Sequence, residues 1–264
     1  MGYRKFYVLS ICICLQVTGL TAQVQDGPYY LSLKREVLYT GSGFVGTVGA
    51  FFLHKRLPTL TAGELELPKL SRFDQMGLGN YSQKARDFSN QTLFTTLGLP
   101  VLFLAGKKSR RDISTIGFLY IETMLINQGI TDLVKVGALR PRPYLFEEGF
   151  PGTTVLSGND RSSFFSGHTS SAATASFFTA RVFADYYPDS KLKPYVWGMA
   201  AALPALTGYL RIRAGRHYPS DVLAGYLVGG AVGYLIPTLH KKKPKGKKLA
   251  IAPSMGGVYL NYRF

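Results

Sequence analysis

From residue 93 to residue 239 the chain alternates apolar stretches of helical length with short polar breaks. None of these stretches keeps the two-residue alternation of a half-buried strand. The apolar stretches cover 93–105, 113–133, 169–187, 196–210 and 222–239. Runs this apolar must cover one another or face lipid, so the pattern predicts an all-α helix bundle. The stretch 169–187 is rich in Ala, Ser and Thr, which let helix backbones approach closely. An earlier stretch, 38–53, is apolar but carries Gly41, Gly43, Gly46 and Gly49 in only 16 residues. That is short against the ~20 residues of a spanning helix. No internal repeat is present.

The chain has 264 residues, 46% of them hydrophobic, and a mean hydropathy of +0.07. These values are high for a soluble protein and low for one wholly sunk in lipid. A net charge of +16 suits phosphate, anionic lipid or nucleic acid. The charge comes in separate blocks between apolar segments, without an RNA- or DNA-binding signature, so nucleic acid is not the expected partner. Residues 1–22 read as a secretory signal: Arg4 and Lys5, an apolar run, then Thr21-Ala22 before Gln23. Both cysteines, Cys12 and Cys14, lie inside it, so cleavage leaves a chain without a thiol and with a charge of +14. The competing reading is an uncleaved anchor; bulky Ile11 disfavours a lipoprotein signal at Cys12. The expected layout is a signal or anchor at 1–22, an arm and polar region at 23–92, a catalytic helix bundle at 93–240, and a basic tail at 241–264. The last eight residues alternate like a strand and are expected to form a short appended strand or a disordered end.

Lys/Arg-rich loops remain on the cytoplasmic side of a membrane. Placing 107–111 and 241–248 inside sends the helix 113–133 outward. Lys135, Arg142, His168, Arg211 and His217 then all fall on the extracytoplasmic face. A cleaved signal starts the chain outside, which leaves 38–53 as an interfacial segment or re-entrant hairpin and gives five spans. An N-terminus retained inside makes 38–53 a span and gives six. The expected architecture is therefore a membrane bundle of five or six spanning helices in the bacterial cell envelope, its site facing the periplasm.

Three short stretches carry the chemistry. Lys135 and Arg142-Pro143 are separated by six residues; Phe165-Ser166-Gly167-His168 follows; Arg211, His217 and Asp221 close the set. Lys135, Arg142 and Arg211 match the charge of a phosphate dianion, and guanidiniums add paired donors for its oxygens. His217 and Asp221 are four apart and share a helix face, with Pro219 marking the first turn. This places His217 at a positive helix end, with Asp221 to hold one imidazole nitrogen and the other left to attack phosphorus. Ser166 and Gly167 precede another helix, where backbone N–H groups can cradle phosphate oxygens, and His168 stands beside them as an acid.

These motifs, in this order and spacing, resemble the type 2 phosphatidic acid phosphatase superfamily, which also includes bacterial class A acid phosphatases and vanadium haloperoxidases. The resemblance covers about 135–221. It implies that His217 is the nucleophile of a phosphohistidine intermediate, Asp221 its orienting partner, and His168 the acid that protonates the leaving group. It also implies that Lys135, Arg142, Arg211, Ser166 and Gly167 hold the phosphate oxygens. No metal or other cofactor is expected. Two positions depart from the family pattern, Phe165 where Pro is usual and Leu210 where Ser is usual. The expected substrate is a lipid phosphate monoester or diphosphate, such as phosphatidate, phosphatidylglycerol phosphate, undecaprenyl diphosphate or the phosphates of lipid A. The alternatives are a secreted soluble acid phosphatase, a vanadate-dependent haloperoxidase and a catalytically silent binder of phospholipid headgroups. Outside the motifs, His54 and His240 read as interfacial residues, and Tyr209, Tyr218 and Trp197 as members of an aromatic belt. Arg140, Arg213 and Arg216 add to an anion-attracting field or hold a second phosphate.

Overall fold

The computed structural model describes residues 27–58, 60–242, 249–254 and 257–262. The expected signal at 1–22, with both cysteines, and most of the basic run 241–248 lie outside the described residues. The helices are α1 (Leu33–Lys55), the single turn α2 (Arg72–Gln75), α3 (Gln83–Gly98), the short α4 (Lys107–Arg111) and α5 (Ile113–Ala138). They continue with α6 (Gly167–Tyr186), α7 (Lys193–Arg213) and α8 (Pro219–His240). Three 3-10 turns, Ala62–Glu64, Leu99–Leu104 and Pro143–Phe146, punctuate the connections.

Local chemistry sets several boundaries. Ser82 and Ser166 cap α3 and α6, each hydroxyl accepting from the backbone N–H three residues on. Pro219 opens α8 with its preset φ, and the Asp221 carboxylate takes the N–H of Tyr218 at 2.9 Å. Helix α5 stops at Leu139, which adopts a left-handed φ of 43° just before Arg140-Pro141.

Side-chain and backbone contacts fix the helix directions. Helices α6 and α8 run parallel through a stripe of small residues: Gly225, Gly229 and Gly233 lie against Ser166, Ser170 and Thr174. A Cβ added at these glycines would lie 2.6, 2.1 and 2.3 Å from the facing carbonyl oxygens, so only glycine permits this approach. Helices α1 and α5 are also parallel, Gly43 facing the backbone at Leu125 and Gly46 facing Gly129. Helix α3 begins beside the end of α7 (Ser82 N–H to Arg213 carbonyl, 3.1 Å) and ends beside α5 (Tyr120 hydroxyl to Leu97 carbonyl, 3.0 Å). Thus α1, α5 and α7 run toward the end that holds His168 and His217, while α3, α6 and α8 run away from it. At the opposite end Tyr29, Phe103, Ile116, Leu119, Phe178, Val182 and Tyr186 form the main apolar core. Near the site, the loop between α5 and α6 packs Tyr144, Leu145 and Leu156 against Leu60 and Leu65.

The structure corrects four expectations. The segment 38–53 is not a hairpin but the middle of a continuous 23-residue helix that packs lengthwise on α5. Its glycines do not break it; Gly43 and Gly46 provide the flat face that α5 occupies. The tail holds two strands, β1 (Leu249–Ser254) and β2 (Gly257–Tyr262), paired antiparallel with Leu249 opposite Tyr262. His240 is fully buried rather than interfacial, and Tyr218 is buried under the Arg140 guanidinium, 4.1 Å from its ring centre. Among the described residues, α1 and α8 are long and apolar enough to cross a membrane, with mean hydropathies of 1.2 and 1.6.

Candidate active site

The α6–α8 stripe brings the two histidine motifs together. Because Gly225 abuts Ser166, the start of α8 and the start of α6 lie at one level, and the Ser166 N–H donates to the Asp221 carbonyl at 3.0 Å. The turn leading into α8 is set by Gly215, whose φ of 64° and closeness to the Asn80 carbonyl exclude a side chain. It aims His217 into the cleft between α6, α8 and the loop after α5.

His217 is 1% exposed, and its Nδ1 lies 2.7 Å from the Ser163 carbonyl oxygen. A carbonyl only accepts, so Nδ1 carries the proton and Nε2 keeps its lone pair. Burial, followed by the charges of Arg142, Arg211 and Lys135, holds this imidazole well below the usual histidine range, so it stays neutral. Asp221 stands farther off, 3.7 Å from Nδ1. Its carboxylate accepts instead from the Ser163 hydroxyl at 2.5 Å, from the Tyr218 N–H at 2.9 Å and from Arg140 at 2.5 Å. The partner of the imidazole Nδ1 is therefore the Ser163 carbonyl and not, as the sequence suggested, Asp221, which binds the hydroxyl of the same serine.

The cations surround the histidines. Arg142 is 4% exposed and is held by Asn159, through the backbone carbonyl and the side-chain oxygen, each at 2.8 Å. Burial and the neighbouring Arg216 bring its guanidinium down to about 10, still protonated at neutral pH. Arg211 is 5% exposed; one terminal nitrogen donates to the Ser89 hydroxyl at 3.3 Å, while its buried Nε has no hydrogen-bond partner. Lys135 reaches Gly167 closely enough that a Cβ there would lie 3.2 Å from the ammonium. All three cations and both histidines are near enough for their charges to act on one another. The motif residues expected from the sequence are thus gathered around the starts of α6 and α8. A concentration of buried positive charge around neutral imidazoles is an anion site, and its donors suit a tetrahedral oxyanion.

Several further residues complete the site without belonging to the motifs. Asn90 on α3 places its side-chain oxygen 3.0 Å from His168 Nε2, and Ser89 beside it supports Arg211. The Ser89 hydroxyl comes from a different helix than Leu210, the position where the family usually supplies a serine. Arg140 ties Asp221 to Asp74 on α2 (2.9 Å), and Asp74 also accepts from the N–H and hydroxyl of Ser220 at 2.9 and 2.8 Å. Arg140 is therefore a brace of the α8 start. Arg216 stacks over Tyr144 at 4.6 Å, whose hydroxyl donates to Asp160. Helix α3 spans the expected division at residue 92, so the polar region and the bundle share this site.

The fold is a helix bundle with a cluster of cations and two histidines gathered at one end. The PAP2 superfamily model matches residues 116–245, a stretch that takes in all three motifs. The chain is also similar to a solved structure described as the first transmembrane PAP2-type phosphatidylglycerolphosphate phosphatase from Bacillus subtilis. That match has 16% identity, covers 78% of this chain and 96% of the other, and has a TM-score of 0.42.

Proposed function

We propose that this protein is a PAP2 phosphatase that hydrolyses a lipid phosphate monoester or diphosphate through a phosphohistidine on His217, at the outer face of a bacterial membrane. The observation that carries the reading is the His217 Nδ1–Ser163 carbonyl bond, which leaves a neutral Nε2 with its lone pair among the charges of Arg142, Arg211 and Lys135. In the first step Nε2 forms a bond to phosphorus as the bond to the leaving oxygen breaks, and His168, made imidazolium by a second proton taken up with the anionic substrate, donates that proton to the leaving oxygen. With Nε2 of His168 held by Asn90, Nδ1 is left for the proton exchange. In the second step His168 takes a proton from water, whose oxygen bonds to phosphorus and releases His217 and inorganic phosphate. The three cations, with the backbone at Ser166 and Gly167, stabilise the charge on the equatorial oxygens.

A lipid substrate is favoured by apolar side chains turned outward along the helices that frame the cleft. These include Val37, Phe44, Val45 and Phe52 on α1 and Leu223, Leu227 and Leu235 on α8. A lipid-facing α1 that runs parallel to α5 supports the six-span arrangement, with residues 27–32 and 241–242 on the same side as 107–111. The test is phosphate release by detergent-solubilised protein from phosphatidate, phosphatidylglycerol phosphate, undecaprenyl diphosphate and lipid A phosphates, alongside a soluble aryl phosphate. Preference for one lipid, lost in His217→Ala, supports the reading. Equal or better turnover of the soluble ester points instead to a general acid phosphatase.

A further inference from the structure

At the end of the bundle opposite the phosphate cleft, Glu36 of α1, Glu122 of α5 and His240 of α8 converge. Their exposures are 3, 1 and 0%. His240 Nε2 lies 2.8 Å from Glu36 Oε2 and 3.2 Å from Glu122 Oε1. Each residue is held from behind by its other polar atom. His240 Nδ1 donates to the Ile236 carbonyl at 2.7 Å, Glu36 Oε1 accepts from the Ser32 N–H at 2.8 Å, and Glu122 Oε2 faces the Thr40 hydroxyl at 3.3 Å. With Nδ1 committed as a donor, Nε2 of the neutral ring is a lone pair facing two carboxylate oxygens. Three acceptors therefore point at one spot, and Glu122 Oε1, buried and aimed into it, has no hydrogen-bond partner. One proton can bridge only one of these pairs; a metal ion satisfies all three. The rear partners, which fix tautomer and carboxylate orientation, form the outer shell that metal-binding imidazoles and carboxylates characteristically have.

We propose that Glu36, Glu122 and His240 bind one divalent transition-metal ion, with Zn²⁺ the best match. One imidazole nitrogen with two carboxylate oxygens is a zinc-type donor set; Arg35 pairs with the far oxygen of Glu36 at 3.0 Å and leaves Oε2 for the ion. In a tetrahedral site with bonds of ~2.0–2.1 Å the ligand atoms stand about 3.3 Å apart, so the two separations from His240 Nε2, 2.8 and 3.2 Å, need to open only slightly, and all three ligand atoms already lie within 4.8 Å of one another. Water supplies the fourth ligand. The ion fastens α1, which packs mainly on α5 and reaches α8 through Arg35 (3.3 Å to the Leu239 carbonyl) and Tyr39 (against the His240 ring), to both α5 and α8. It is a structural staple remote from the phosphate chemistry and independent of it.

The test uses full-length protein purified without a polyhistidine tag. Elemental analysis of the wild type is expected to find about one zinc per chain, and His240→Gln and Glu122→Gln to find little. Adding Zn²⁺ to chelator-stripped wild type is expected to raise Tm by roughly 5–10 °C. Adding Co²⁺ is expected to give the visible absorption of a four-coordinate ion. Should either variant fail to fold, the wild-type add-back decides by itself. Stripped wild type whose Tm and spectrum ignore both ions overturns the proposal in favour of a proton-held cluster. Equal metal in wild type and folded variants overturns it by placing the ion elsewhere.

Discussion

Replacing Gly229 by alanine tests whether the α6–α8 stripe sets the active-site geometry. The new Cβ would lie 2.1 Å from the Ser170 carbonyl oxygen, where ordinary contact begins at 3.4 Å. The facing atom is backbone, so no side chain can swing aside and the two helices must part by about 1 Å. Overpacking of this kind costs about 1–3 kcal/mol, which lowers Tm by roughly 3–10 °C for a domain of this size. The start of α8 carries His217 and Asp221, and that of α6 carries Ser166, Gly167 and His168. A shift of about 1 Å between them is expected to reduce kcat by up to ~100-fold even though Gly229 lies two turns below the cleft. The neighbouring Gly230→Ala is the control, since its Cβ would meet the Phe177 ring at an ordinary 3.5 Å. Alanine is also the better helix former by about 1 kcal/mol, so Gly230→Ala should leave Tm equal or higher. Thermal unfolding in detergent and phosphate release read both effects. If the two variants behave alike, the stripe does not hold the site.

Asn90→Ala frees the His168 imidazole from its 3.0 Å contact and is expected to lower kcat by roughly 10- to 100-fold with KM nearly unchanged; steady-state kinetics with kcat within twofold of wild type would remove Asn90 from the site. Arg140→Met cuts the links from Asp74 to Asp221 and is expected to lower both Tm and kcat, and Arg140→Lys to restore only part, because one ammonium cannot reach both carboxylates as the guanidinium does. The folded-state pKa of His217 is depressed below its unfolded value near 6.5, so the unfolded chain binds the extra proton and stability falls as pH drops below that value. This loss amounts to about 1.4 kcal/mol per pH unit until the folded pKa is reached. Tm measured from pH 7 to 5 should decline less steeply in His217→Gln than in wild type; parallel curves would show that the buried ring is charged.

The parts of the site legible in the sequence were those whose chemistry is local. Ser166, Pro219 and Asp221 announce helix starts by residue type, and the motif spacings place His168 and His217 at those starts. Asn90, Ser89 and Asp74 were not legible, because each acts on a residue 78 or more positions away and needs the bundle assembled first. Asn90 and Ser82 belong to none of the three motifs, yet one holds His168 and the other caps α3. The shortness of 38–53 misled because the helix continues into flanks that carry Lys34, Arg35, His54 and Lys55. His240 read as interfacial beside a lysine run, yet its partners come from two other helices. A signal for that cluster did exist: Glu122 is the one carboxylate inside the apolar stretch 113–133 apart from Asp132 near its end, and a carboxylate at such a position needs a cationic or protonated partner.

The most direct test of the central claim is to quench turnover of a substrate labelled with ³²P in the transferred phosphate and examine the protein. Label that is stable to alkali, labile to acid and carried on the peptide containing His217 is the predicted result. It should be absent in His217→Ala and, with an aryl phosphate whose leaving group needs no protonation, accumulate in His168→Ala, where water is no longer activated. Label stable to acid, label released by hydroxylamine, or turnover with intact phosphate release in His217→Ala would contradict the account.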